Sequence, residues 1–158
     1  MKRVATLLAV LLVVPLFGGS ASAAEKAIRR YRVETSDGQV LRFRTVRDEG
    51  QRRLDGVFFG PRWLGAAEDF LLTCDDGTTE PIGTSGFSEW PWYFEGRTVT
   101  VDESYEDPAM RVALHIVGTL GPNAGSGTLR YTEEFLKGET ARVCTTGDLT
   151  WTAERRFT

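Results

Sequence analysis

The feature that most constrains this chain is a pair of cysteines, Cys74 and Cys144, the only two among its 158 residues. Each ends an apolar run and stands just before a turn signal, Asp75-Asp76-Gly77 in one case and Thr146-Gly147 in the other. Two cysteines in an exported protein are most simply one disulfide, and the alternative is two free thiols. Because the bond would close a long loop, it would contribute roughly 4 kcal/mol to stability.

The N-terminus has the pattern of a secretory signal peptide. Basic residues at Lys2 and Arg3 precede an apolar run over residues 4–17, and the segment ends in Ala21-Ser22-Ala23. The apolar run is about 14 residues long, whereas a membrane-spanning helix needs roughly 20, so a membrane anchor is the weaker alternative. The sequence therefore predicts a signal peptide over residues 1–23, a single domain over residues 25–158, and a secreted or envelope-associated protein.

The charge balance argues against nucleic acid as a partner. The whole chain carries a net charge of −3, and removing Lys2 and Arg3 with the signal peptide leaves −5. Nucleic-acid binding needs a basic surface. Arginine outnumbers lysine 16 to 3, which we interpret as the base composition of a GC-rich bacterial genome and not as a binding feature.

The periodicity of the chain predicts an all-β fold. Residues 28–34, 39–47, 110–120 and 149–155 alternate apolar and polar side chains, which is typical of half-buried strands. Turn signals such as Ser36-Asp37-Gly38 recur every 8–15 residues, and no run has a helical period. We expect an antiparallel sandwich or partly closed barrel of about 8–10 strands with one disulfide, in which the arginines of residues 39–47 form a solvated face.

The order of short motifs over residues 70–155 resembles a group of small exported bacterial β proteins of unknown function. The motifs are Cys74-Asp75-Asp76-Gly77, Gly86-Phe87, Ile116-Val117-Gly118-Thr119-Leu120, Ser126-Gly127-Thr128-Leu129-Arg130, Cys144-Thr145-Thr146-Gly147 and Trp151-Thr152-Ala153. The resemblance implies a β fold with the two cysteines bonded, and it implies no activity. Two segments look like additions to the pattern, the aromatic residues 90–94 and an acidic loop over residues 102–107.

No catalytic constellation is visible in the sequence. His115 is the only histidine, it falls within a predicted strand, and no serine stands in a nucleophile elbow. One histidine and two bonded cysteines cannot form a zinc site. Three acidic residues at or near the turn that follows Cys74 are weak calcium candidates, Asp75, Asp76 and Glu80. They lack the spacing of a calcium loop. We therefore expect no enzymatic activity, no metal and no cofactor.

The densest aromatic cluster is the most informative candidate for a binding site. Trp90, Trp92, Tyr93 and Phe94 either cap one end of the core or form an exposed patch for a glycan or a protein. The sequence thus favours an exported, non-enzymatic module that binds at the cell envelope. The alternative is a small-ligand carrier with a pocket inside a β-barrel, which would require an apolar interior cavity.

Overall fold

The computed structural model describes residues 27–48, 50–59, 69–82, 86–87, 91–136 and 141–156, which form twelve strands and no helix. The expected signal peptide lies outside these residues. The strands are β1 (Ala27–Thr35), β2 (Val40–Asp48), β3 (Gln51–Phe59), β4 (Leu71–Cys74), β5 (Thr79–Pro81), β6 (Gly86–Phe87), β7 (Trp92–Tyr93), β8 (Thr98–Glu106), β9 (Met110–Leu120), β10 (Ala124–Phe135), β11 (Arg142–Thr145) and β12 (Leu149–Arg156). The described residues contain no helix that could cross a membrane.

All twelve strands belong to one antiparallel sheet that curls into a half-barrel. The main path across the sheet runs β8, β9, β10, β12, β1, β2 and β3. The long strand β10 has two partners on one edge, because β12 pairs with residues 124–129 and β11 pairs with residues 132–135. The short hairpin β4–β5 extends the sheet from β11, while β6 and β7 pair with β3.

A side-chain contact joins the two ends of the curled path. The indole Nε1 of Trp92 on β7 donates a hydrogen bond to Oε1 of Glu103 on β8, at 2.7 Å. Trp92 is 7% exposed and belongs to the core, so the contact combines apolar burial with a satisfied indole donor. The curl is therefore held across its open side by these two residues.

The concave face of the sheet is filled by large side chains. Successive residues of a strand point to opposite faces, so the apolar half of each alternating strand meets inside the curl. The indole of Trp151 lies over the cross-strand pair Gly118 and Gly127, where added Cβ atoms would come within 2.4 and 2.7 Å of its ring. The largest fully buried side chains are Trp151, Tyr31, Tyr131, Phe43, Phe59 and Phe70.

The predicted all-β fold is confirmed, in its partly closed barrel form. The strands expected at residues 28–34, 39–47, 110–120 and 149–155 all exist, each to within one residue at either end. The strand total exceeds the expected 8–10 because β5, β6 and β7 have only two or three residues each. The expected acidic loop over residues 102–107 is wrong, since β8 continues through Glu106, which pairs with Arg111 of β9.

The predicted disulfide is present and joins the hairpin β4–β5, which we call the edge hairpin, to β11. Cys74 of β4 and Cys144 of β11 stand directly opposite each other and are bonded. Both are buried, which confirms that Cys74 lies on the apolar side of its strand. The two strands share only one further register pair, Thr73 with Thr145. The covalent bond therefore forms a large part of the link between β4–β5 and the rest of the sheet.

The side chain of Gln39 supplies a second link to the edge hairpin. Its Nε2 donates to the carbonyl oxygen of Leu71 at 3.1 Å, and its Oε1 accepts a hydrogen bond from the Leu71 backbone N–H. Leu71 is the first residue of β4 and lies beyond the end of the pairing with β11. The amide of Gln39 thus satisfies both backbone groups as a neighbouring strand would.

Candidate functional site

The aromatic stretch divides between the core and the surface. Trp92 is buried, whereas Tyr93 is 55% exposed and Phe94 is half-buried against the core. Trp90 lies outside the described residues. The part of the expected binding patch that is open to a ligand is therefore Tyr93 together with the exposed part of Phe94.

Three arginines converge beside Phe94 at one end of the half-barrel. Arg47 of β2 and Arg52 of β3 are directly opposite residues in the register of the two strands. Arg29 of β1 lies diagonally next to Arg47, because Arg29 pairs with Thr45 and Ala27 pairs with Arg47. We call Arg29, Arg47, Arg52, Tyr93 and Phe94 the arginine groove.

Arg52 is the fixed element of the arginine groove. Its Nη2 donates to the hydroxyl of Tyr31 at 3.1 Å and to the carbonyl oxygen of Gly121 at 3.3 Å, and its Nη1 donates to the carbonyl oxygen of Leu120. The guanidinium also lies 4.2 Å from the centroid of the Phe94 ring, a cation–π contact. Its Nε is buried and has no hydrogen-bond partner among the described residues.

The electrostatics of the groove favour an anion. Burial lowers the pKa of the Arg52 guanidinium, and repulsion from Arg29 and Arg47 acts in the same direction, against the influence of Tyr31. Arginine nevertheless stays protonated in proteins, so the lowered pKa means that this charge is held at an energetic cost. Among the side chains that the structure describes, no carboxylate lies within ion-pair distance of any of the three arginines.

The groove has space for a small ligand. One compartment of about 250 Å³ is lined by Arg29, Arg47 and Arg52, and a second of about 360 Å³ is lined by Arg47, Arg52, Tyr93 and Phe94. The two compartments share Arg47 and Arg52. Guanidinium forks match the planar geometry of carboxylates, and aromatic rings offer a flat apolar surface. The arrangement can hold an anionic group beside an apolar ring.

A larger cleft at the edge hairpin is a weaker candidate. It has a volume of about 530 Å³ and is lined by Asp37, Gln39, Asp69, Leu71 and four threonines. Burial raises the pKa of Asp37, but hydrogen bonds from Thr35 and Gln39 outweigh it and hold the pKa below its usual value. Because Gln39 and Asp37 already bond each other and the backbone, their polar groups maintain the turn and the edge.

Two of the three calcium candidates, Asp76 and Glu80, interact with an arginine side chain instead. Arg142 donates from Nη2 to Oε1 of Glu80 at 2.7 Å, and its Nη1 lies 3.9 Å from Oδ2 of Asp76. The other oxygen of Asp76 accepts hydrogen bonds from the backbone and hydroxyl of Thr78, which lower the pKa of Asp76. Asp75 is exposed. In residues 27–48, 50–59, 69–82, 86–87, 91–136 and 141–156 no cluster of acidic, histidine or cysteine side chains could hold a metal ion.

His115 lies on the exposed outer face of β9. Its Nδ1 is 3.7 Å from Oδ1 of Asp102, on the adjacent strand β8, and both side chains are open to solvent. A hydrolytic triad also requires a hydroxyl hydrogen-bonded to the imidazole. Among the described residues, no hydroxyl is hydrogen-bonded to His115.

Sequence reasoning found the aromatic half of the groove and missed its arginines. Arg29, Arg47 and Arg52 come from three strands, and nothing in their spacing along the chain shows that they meet. A signal that could have found Arg29 is its place on the apolar face of its strand, in line with Tyr31 and Val33. The chain matches no protein family model, no curated protein and no solved structure.

Proposed function

We propose that this protein is an exported, non-enzymatic module that binds an acidic saccharide of the cell envelope in the arginine groove. The observation that carries the proposal is the convergence of Arg29, Arg47 and Arg52 without a described carboxylate, beside the rings of Tyr93 and Phe94. A carboxylate on a sugar ring would neutralise the guanidiniums, and the apolar face of the same sugar would lie on an aromatic ring.

The filled interior of the half-barrel favours a ligand bound at its surface over a ligand bound inside it. The concave face is occupied by Trp151, Tyr131, Phe43 and other buried rings. An interior carrier would need an apolar cavity in that position. The groove lies instead at the end of the sheet where β1 and β3 begin and β2 ends.

Secretion and the bacterial origin belong to the same proposal. A disulfide between Cys74 and Cys144 is consistent with an oxidising compartment outside the cytosol. The pattern of residues 1–23 would direct the chain there.

Isothermal titration calorimetry with a short oligomer of galacturonic acid tests the proposal. We expect saturable binding by the wild type and at least a roughly tenfold loss in Arg47→Ala, because one charge-assisted hydrogen bond contributes about 1.5–3 kcal/mol. The matched control is Arg130→Ala, which removes the same charge from the outer face of β10 and should bind as the wild type does.

The neutral galactose oligomer is the ligand control. Absence of wild-type binding, equal binding of the neutral oligomer, or equal binding by Arg47→Ala would each contradict the proposal.

A further inference from the structure

A second group of arginines lies on the opposite, outer face of the same strands. Alternation along β1, β2 and β12 directs these side chains away from the core. Arg30 pairs with Arg156 of β12 on one side and with Arg44 of β2 on the other, so three arginines form a row across three strands. In the next row, Arg32 lies between Arg42 of β2 and Glu154 of β12 and forms an ion pair with Glu34, so this row carries charges of both signs. We call Arg30, Arg32, Arg42, Arg44 and Arg156 the arginine face.

The row of three arginines brings like charges close together. Neighbouring strands are about 4.7–4.9 Å apart, and like charges at directly opposite positions destabilise a sheet. Burial lowers the pKa of Arg42, and repulsion from Arg30 and Arg44 lowers it further. Neither Arg30 nor Arg156 has a carboxylate within ion-pair distance among the described residues.

An aromatic ring and a carboxylate hold part of the arginine face in place. The guanidiniums of Arg42 and Arg44 lie 4.8 and 5.2 Å from the centroid of the Phe58 ring. That ring covers Gly56, where an added Cβ would stand 2.5 Å from it. The extra residue of a β-bulge, Asp55, places its Oδ2 at 2.8 Å from Nε of Arg44. The guanidiniums of Arg42 and Arg44 are therefore preorganised, which reduces the entropy lost on binding.

We propose that the arginine face binds a linear chain of phosphate groups laid along the row Arg156, Arg30, Arg44. The row crosses three adjacent strands on the outer face of the sheet, so its positive charges are complementary to an extended polyanion. A tetrahedral phosphate can accept hydrogen bonds from guanidiniums of two adjacent strands. Repeated phosphates would also add their contacts through multivalency.

Other occupants fit the face less well. A lipid surface would require apolar side chains to insert, and the exposed large apolar residue that this face offers within β1 is Ile28 alone. A second copy of the chain would have to present a matching acidic row. The experiment below also detects binding to a lipid surface and formation of a dimer, and either result would overturn the proposal.

The test is fluorescence anisotropy of labelled short-chain inorganic polyphosphate with the full mature chain. We expect the Arg30→Ser, Arg156→Ser double variant to bind at least roughly tenfold more weakly than the wild type. Wild-type affinity should fall steeply as salt rises, because binding releases counterions. The matched control, Arg111→Ser with Arg130→Ser, removes two charges from other strands of the sheet and should retain wild-type affinity.

Thermal unfolding keeps the test independent of folding defects. Polyphosphate should raise the Tm of the wild type and of the control but not of the Arg30, Arg156 variant, and orthophosphate at equal phosphate concentration should raise it less. No binding by the wild type, equal loss in both double variants, binding to anionic vesicles alone, or a dimer that dissociates in the Arg30, Arg156 variant would overturn the proposal. The groove variant Arg47→Ala should bind polyphosphate normally, which separates this site from the arginine groove.

Discussion

Arg47 and Arg52 stand directly opposite each other on β2 and β3, and both line the open end of the half-barrel. Among the described residues, Arg52 is the member of this pair that is hydrogen-bonded to the fold, through Tyr31, Leu120 and Gly121. The pair thus combines one fixed and one accessible guanidinium. A ligand carboxylate that met both would gain a rigid donor and an adaptable one.

The different roles of the two arginines can be separated by their effects on stability. We expect Arg52→Ala to lower the free energy of unfolding by about 1–3 kcal/mol, because the Leu120 carbonyl and the Tyr31 hydroxyl oxygen lose the donor that Arg52 supplies, while the Gly121 carbonyl keeps its hydrogen bond from Tyr31. Arg47→Ala should change it by less than about 0.5 kcal/mol. Urea unfolding monitored by tryptophan fluorescence measures both. Equal losses in the two variants would refute the assignment of Arg52 as the structural member.

Removing one charge from the arginine face should stabilise the unliganded protein. Arg30 is flanked by Arg44 and Arg156, so Arg30→Thr should increase the stability by up to about 1 kcal/mol at low salt. The gain should shrink near 1 M salt, where charges are screened within about 3 Å. The control is Arg130→Thr, whose guanidinium pairs with Asp148 at 2.6 Å and which should gain nothing. Calorimetric melting at low and high salt measures the effect. A loss of stability in Arg30→Thr at low salt would contradict repulsion between Arg30 and its two neighbours.

Removing the disulfide should destabilise the whole fold, and the edge hairpin should open before the rest of the sheet. Replacing Cys74 and Cys144 by alanine should cost roughly 4 kcal/mol, because the bond closes a loop with a sequence separation of 70. Hydrogen exchange should show β4 and β5 opening before β9 and β10, since β4 has few other pairs with β11. Uniform loss of protection over all strands would show instead that the hairpin is no separate unit.

Alkaline unfolding should involve Tyr131. Burial raises the pKa of its phenol, and the hydrogen bond to Glu133 and the charge of Glu133 raise it further. The unfolded chain loses this proton near pH 10 while the folded chain keeps it, so stability is fully present below pH 10 and falls as the pH rises above that value. Tyr131→Phe should show a shallower decline between pH 10 and 11.5 than the wild type, measured by urea unfolding. Identical slopes would mean that Tyr131 does not contribute.

The local alternation of the sequence was sufficient to predict most strands but not their partners. In β2 the buried residues Leu41, Phe43 and Thr45 alternate with Val40, Arg42 and Arg44, and the structure has the same two faces. In β8 the acidic residues Asp102, Glu103 and Glu106 have low strand propensity, so the sequence suggested a loop. The long partner strand β9 and the ion pairs of Arg111 with Glu106 and Glu134 extend the sheet over them.

The arginines were harder to interpret because their meaning depends on register. The bulge at Asp55 shifts β3 by one residue against β2, which places Arg52 opposite Arg47. A one-residue shift reverses the faces of a strand, and no spacing along the chain announces it. The excess of arginine therefore looked like base composition, whereas the fold sorts these side chains into a groove and a separate outer face.

The most direct measurement is a heteronuclear NMR titration that follows the arginine side-chain Nε–Hε signals while a galacturonic acid oligomer is added. We expect saturable shifts at Arg29, Arg47 and Arg52, with unchanged signals at Arg30, Arg44 and Arg156 of the outer face. Uniform small shifts at all arginines, or shifts confined to the outer face, would contradict the assignment of the arginine groove as the binding site.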